Sequence, residues 1–134
     1  LRGGYYYHIG SDFALIAGGF FAPNAEDLRR LRKDIVLNYS EWKSMLAEKD
    51  LSEIFGSMQG HQLETAPRGF VRDHPAIDLL RYKQFYFEKR FTADEVMNES
   101  FLADVNMAFK ALRPYFDFMS YVLTTDANGV SLVD

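Results

Sequence analysis

Apolar positions along this chain change period several times, and each change marks a new element of secondary structure. Tyr5-Tyr6-Tyr7-His8-Ile9 and Phe13-Ala14-Leu15-Ile16-Ala17 are rich in β-prone side chains and flank Gly10-Ser11-Asp12, which predicts a hairpin. Alternation puts Tyr5, Tyr7 and Ile9 on one face and Tyr6 and His8 on the other. Gly18-Gly19 before Phe20-Phe21 predicts a bulge or a close approach of two backbones. Pro23-Asn24 closes the hairpin region and offers Asn24 as a helix N-cap. From Ala25 to Val36 the period lengthens: Leu28, Leu31 and Ile35 recur at helical spacing, with Arg29, Arg32 and Lys33 on another face. Ser40 is placed to cap a second helix carrying Trp42, Met45 and Leu46, and Asp50 a short third helix that Gly56 ends.

Residues 57–70 lose the periodicity, contain Gly60 and Pro67, and read as loop with a brief strand near Gln62-Leu63-Glu64. Pro75, after an extended His74, suits the first position of a short helix running to about Tyr82. Lys83 to Phe91 then alternates, Phe85, Phe87 and Phe91 against Gln84, Glu88 and Arg90, as a half-buried strand does. Thr92-Ala93-Asp94-Glu95 is a capping box for another short helix. Phe101, Leu102, Val105, Phe109 and Leu112 form a last helical stripe, which Pro114 must kink or restart. Beyond it Tyr115, Phe116, Phe118, Met119, Val122 and Leu123 are apolar on more than one side, so this segment is buried or packed on a partner. Asp126-Ala127-Asn128-Gly129 ends the helix ahead of a frayed tail. The fold class is α+β: a small antiparallel sheet packed by several short helices and a kinked, aromatic-rich C-terminal helix.

Composition narrows this picture. The 134 residues fit one domain spanning 1–134, large enough to bury a core without staples. With no cysteine there is no disulfide framework, thiolate metal site or cysteine nucleophile, which fits a reducing, cytoplasmic setting. A net charge of −4 argues against nucleic acid as partner, and no apolar run is long enough to span a membrane. From Thr92 onward acids dominate, with only Lys110 and Arg113 opposing them, so the middle of the chain is comparatively basic.

Two or three strands make a thin sheet, and the chain opens on Leu1-Arg2-Gly3-Gly4, almost inside its first strand. The pattern therefore reads as the later portion of a larger domain lacking its N-terminal part. Three ordered motifs carry a family likeness: Gly4-Tyr5-Tyr6-Tyr7-His8-Ile9, then Ala17-Gly18-Gly19-Phe20-Phe21-Ala22-Pro23, then Pro67-Arg68-Gly69-Phe70 followed by Asp73-His74-Pro75-Ala76-Ile77-Asp78-Leu79-Leu80-Arg81-Tyr82-Lys83. From Gly4 to Leu123 the sequence resembles the C-terminal half to two-thirds of the bacterial and fungal family called domain of unknown function 2461. The resemblance implies a preceding portion with an Asn-Asn and Trp-Phe segment and an Arg/Asp/Lys-rich motif, and it implies no activity.

Candidate chemistry concentrates in Pro67-Arg68-Gly69-Phe70-Val71-Arg72-Asp73-His74-Pro75, where prolines restrict the backbone and ionisable side chains crowd together. Arg68, Arg72, His74, Arg81 and Lys83 form a candidate anion site, because arginine forks and a lysine point charge suit a carboxylate or phosphate. With Tyr6 and His8 opposite, a groove between the Tyr5 to Ile9 strand and this loop would take an anionic small molecule or peptide end. The competing account pairs Arg72 with Asp73 and Asp78 with Arg81 as solvated surface pairs, and treats the Arg29, Arg32 and Lys33 stripe as a solvated helix face. A second function class is an interaction module, its Tyr115 to Leu123 helix docking on a second copy or on the missing portion. A third is an enzyme with His74 or His8 as acid or base. His8, His61 and His74 lack metal-ligand spacing, and no phosphate-loop, dinucleotide or nucleophile-elbow motif is present, so neither a metal nor a cofactor is expected.

Overall fold

The computed structural model describes residues 3–125 and residue 131. Strand β1 (Gly4–Ile9) pairs antiparallel with β2 (Phe13–Phe20), from Gly4 opposite Gly19 to Ile9 opposite Ala14. The Gly10 N–H donates to the Phe13 carbonyl at 2.9 Å and closes the turn. Strand β3 (Phe85–Thr92) joins the other side of β2, Phe13 opposite Thr92 and Phe20 opposite Phe85, so the described residues form a three-stranded antiparallel sheet of order β1-β2-β3. The ladder passes through Gly18-Gly19 without a bulge. Close backbone approach explains Gly19, which has φ 151° and where a Cβ would collide with the Phe85 carbonyl oxygen and the Tyr86 Cα, whereas at Gly18 a Cβ would meet the Leu112 side chain.

Helix α1 (Ala25–Leu37) opens with a capping box. Asn24 Oδ1 accepts from the Asp27 N–H at 2.8 Å, and the Asp27 carboxylate accepts from the Asn24 N–H at 3.4 Å. Helix α2 (Tyr39–Leu46) starts after Asn38, not at Ser40, because α1 and α2 share that one residue as a joint. Glu48, not Asp50, caps α3 (Lys49–Phe55): its longer side chain reaches the Asp50 and Leu51 N–H groups at 3.2 and 2.9 Å, and Gly56 ends the helix. The brief strand expected near Gln62 is reduced to isolated pairings of Gln59 with Tyr86 and Gln62 with Tyr82.

The helix expected to begin at Pro75 is shorter. Hydrogen-bonded turns occupy residues 71–77, with the His74 N–H on the Val71 carbonyl and the Ile77 N–H on the His74 carbonyl, so α4 covers only Ile77–Leu80. After β3, the Thr92 and Glu95 box starts α5 (Ala93–Met97) as predicted. Helix α6 (Phe101–Thr124) then runs through Pro114 as one helix. The proline removes the N–H that would bond Lys110, but Leu112, Tyr115 and Met119 are fully buried on either side and pack both segments into the same core, so the helix does not restart. The predicted stop at Asp126 to Gly129 and the tail lie outside the described residues.

Helix α6 covers the inner face of the sheet. Tyr5 stacks on Phe116 at 4.6 Å and meets Phe109 edge-on at 5.2 Å, Phe87 meets Tyr115 at 5.0 Å, and Phe91 meets Phe101 at 5.2 Å. Helices α1, α2 and α3 pack on the same helix, with the Trp42 ring against Phe118 at 5.1 Å and its indole N–H on Asp34 at 2.7 Å. Each fully buried large side chain in this cluster contributes about 1.5–3 kcal/mol. The Tyr115 hydroxyl ends in the core, donating to the Phe85 carbonyl at 3.0 Å, and burial pushes that phenol well above the usual tyrosine range. Among the described residues no helix is long and apolar enough to cross a membrane.

Candidate functional site

The 67–75 loop is shaped by two successive turns. The Phe70 N–H donates to the Pro67 carbonyl at 3.1 Å, and Gly69 takes the third position of that turn with φ 92°, a conformation that side chains resist. Buried Pro67 anchors the turn and leaves Arg68 at its tip. In the second turn the His74 ring folds back. Its Nδ1 accepts from the Ala76 N–H at 3.0 Å, and its edge meets Phe70 at 5.9 Å, which fixes the Phe70 ring.

What this loop faces is α1, not β1. Arg29, Arg32, Lys33, Val36 and Leu37 lie along one side of α1 at offsets of three and four residues. With Arg68 and Phe70 they line a groove of about 400 Å³ that contains four cationic side chains and no acidic one. Arg32 forms its inner wall. Its Nε donates to the Leu80 carbonyl at 3.1 Å and its Nη2 to the Tyr82 carbonyl at 3.5 Å, tying α1 to the end of α4. Partial burial draws Arg32 below the ordinary arginine value, where it remains a cation at neutral pH. Arg29, Lys33 and Arg68 form no ion pair among the described residues. A second groove of about 420 Å³ on the far side of Arg29 and Lys33 includes Asp34 and Glu41 in its wall, and Arg30 there is held by Glu26 and by the Leu123 carbonyl. That second groove is mixed in charge.

Only one of the seven residues singled out in the sequence, Arg68, lines the uniformly cationic groove. Arg72 is exposed, and the predicted pair with Asp73 is absent among the described residues. His74 braces Phe70 from behind. The Arg81 Nε donates to the Leu63 carbonyl at 2.6 Å, and the Lys83 main chain bonds His61, so both belong to the pairing of residues 61–63 with 81–83. Asp78 does not pair with Arg81: it accepts from the Tyr39 hydroxyl at 2.7 Å and lies 3.7 Å from Lys43 Nζ, with Tyr39 and Asp78 both raising the Lys43 pKa. Tyr6 and His8 stack at 6.4 Å on β1, and His8 meets Phe13 at 5.7 Å. No hydrogen bond, ion pair or ring contact among the described residues joins them to the loop.

The sequence reading gave Arg29, Arg32 and Lys33 to a solvated face and did not join them to the loop; Arg29 and Lys33 are exposed, and all three line the groove with Arg68. Their signal was present in Val36 and Leu37, which continue the same stripe one turn on and leave two aliphatic side chains exposed beside the cations. Among the described residues no group of three or more His, Asp or Glu side chains is disposed to hold a metal ion. No curated protein and no solved structure matches the chain. The model of the family described as "Conserved hypothetical protein (DUF2461)" matches residues 1–118, a span that includes the Tyr-Tyr strand, α1 and the Pro67 loop, and the chain belongs to that family.

Proposed function

We propose that this chain is a binding module for a small anionic molecule, held in the groove between α1 and the 67–75 loop. One observation carries the reading: Arg29, Lys33 and Arg68 line a single groove beside Arg32, with no carboxylate in its wall and no ion pair of their own among the described residues. Guanidinium forks recognise carboxylate or phosphate through paired N–H donors, and a lysine adds a point charge. The volume, about 400 Å³, lies in the range of small-molecule sites.

The geometry gives less support to α6 as a docking helix and to His74 as a base. In α6 the Tyr115 ring is fully buried, Phe116 packs on Tyr5 and Phe118 on Trp42, so three of its aromatic rings are engaged within the chain and Tyr121 is exposed. His74 Nδ1 accepts a backbone N–H, which leaves the ring proton of the neutral form on Nε2, a donor and not a base. The test is calorimetric titration with inorganic phosphate and with acetate, on the wild type and on Arg68→Ala. Loss of one charge-assisted partner should weaken binding about tenfold. Equal affinity in the variant, or no binding of any anion by the wild type, longer carboxylates included, refutes the assignment.

A further inference from the structure

The groove is not evenly polar along its length, and that division bears on what fills it. Arg29, Lys33 and Leu37 follow one another at intervals of four residues, so cations lie toward the start of α1 and the aliphatic side chain one turn further, about 12 Å from Arg29 along the axis. Arg68 lines the groove with the cations, and Val36, Leu37 and Phe70 supply its apolar part. Leu37 is 61% exposed and Val36 41%. Two neighbouring aliphatic side chains in water at the mouth of a cationic groove match an amphipathic ligand better than an inorganic ion. A water fills about 30 Å³, so about 400 Å³ holds a molecule of roughly a dozen non-hydrogen atoms.

Resting on the anion-binding reading above, we infer that the ligand is a medium-chain amphipathic carboxylate, its head on Arg29, Lys33 and Arg68 and its tail on Val36, Leu37 and Phe70. The concave shape selects a free molecule over an extended acidic surface, and charge complementarity fixes its direction. A methylene moved from water onto apolar side chains raises affinity about fourfold when fully covered, and about twofold in a groove open on one side. Between acetate and octanoate, six methylenes should therefore raise affinity at least about fiftyfold.

The experiment is calorimetry on the full chain with acetate, butanoate, octanoate and neutral octanol, each below its aggregation threshold. Variants are Leu37→Gln, an exposed position that leaves the core intact, and Arg68→Ala, both checked for native circular dichroism. Affinity that climbs with chain length, flattens in Leu37→Gln and drops about tenfold for every acid in Arg68→Ala supports the inference. Equal affinity for acetate and octanoate, still lost in Arg68→Ala, overturns the amphipathic ligand and leaves the anion site standing. Octanol binding as tightly as octanoate, indifferent to Arg68→Ala, overturns both, as does the absence of binding by any acid.

Discussion

Replacing Tyr115 by phenylalanine removes one oxygen from the centre of the molecule and little else. The ring lies against Phe87 at 5.0 Å and Phe20 at 6.5 Å, contacts that phenylalanine retains. The hydroxyl donates to the Phe85 carbonyl at 3.0 Å, with Met58 Sδ at 3.5 Å, and is fully buried between α6 and the first residue of β3. No water reaches that carbonyl in the folded state, so its lost donor is not replaced. A buried polar group left without its partner costs about 1–3 kcal/mol. Taking about 2 kcal/mol, the midpoint of thermal unfolding of a chain this size should fall by roughly 6–10 °C. Differential scanning calorimetry of Tyr115→Phe reads this directly, with near-ultraviolet circular dichroism to verify native packing. A midpoint within a degree of wild type would refute the view of this hydroxyl as the tie between α6 and the sheet.

Other expectations follow from the same geometry. Burial raises the Tyr115 phenol far above its unfolded value, so its contribution is whole below pH about 10 and declines by about 1.4 kcal/mol per unit as pH rises beyond that; urea titrations at pH 9 to 11 should show this slope in wild type and its reduction in Tyr115→Phe. Asn24→Ala removes the acceptor for the Asp27 N–H and should cost about 1 kcal/mol in urea unfolding, against no change if the capping box is not formed. Gly19→Ala combines an unfavourable φ of 151° with collision on the β3 backbone and should destabilise by more than about 3 kcal/mol, whereas Gly4→Ala, with open space around it, should stay within about 0.5 kcal/mol. Equal effects at the two glycines would contradict the register of β2 on β3.

Local chemistry made much of this fold legible. The Tyr5 to Ala17 hairpin, the Thr92 box and the burial of Phe85, Phe87 and Phe91 depend on neighbours within a few residues, and periodicity reports those. Capping by Glu48 escaped because a longer side chain two positions ahead reached N–H groups that Asp50 does not. At Pro114 the local rule left a kink or a restart open, and packing of Leu112, Tyr115 and Met119 kept one helix in place of a restart. The groove was the least legible feature. Arg32 and the carbonyls it meets are 48 and 50 residues apart in sequence, and Arg68 reaches α1 only because Pro67 and Gly69 turn the chain toward it. Charge in the Pro67 loop identified one wall, and the cations of the opposite wall differed from an ordinary solvated helix face only in the Val36 and Leu37 pair that continues their stripe.

The most direct test of the central claim is a nitrogen-15 correlation spectrum of the full chain titrated with octanoate and, separately, with inorganic phosphate. Binding in the groove between α1 and the loop shifts the main-chain signals of Arg68, Gly69 and Phe70 and the side-chain Nε signals of Arg29 and Arg68, while Tyr6 and His8 on β1 stay unmoved. Shifts centred on Tyr6 and His8, or a spectrum indifferent to both anions, would contradict it.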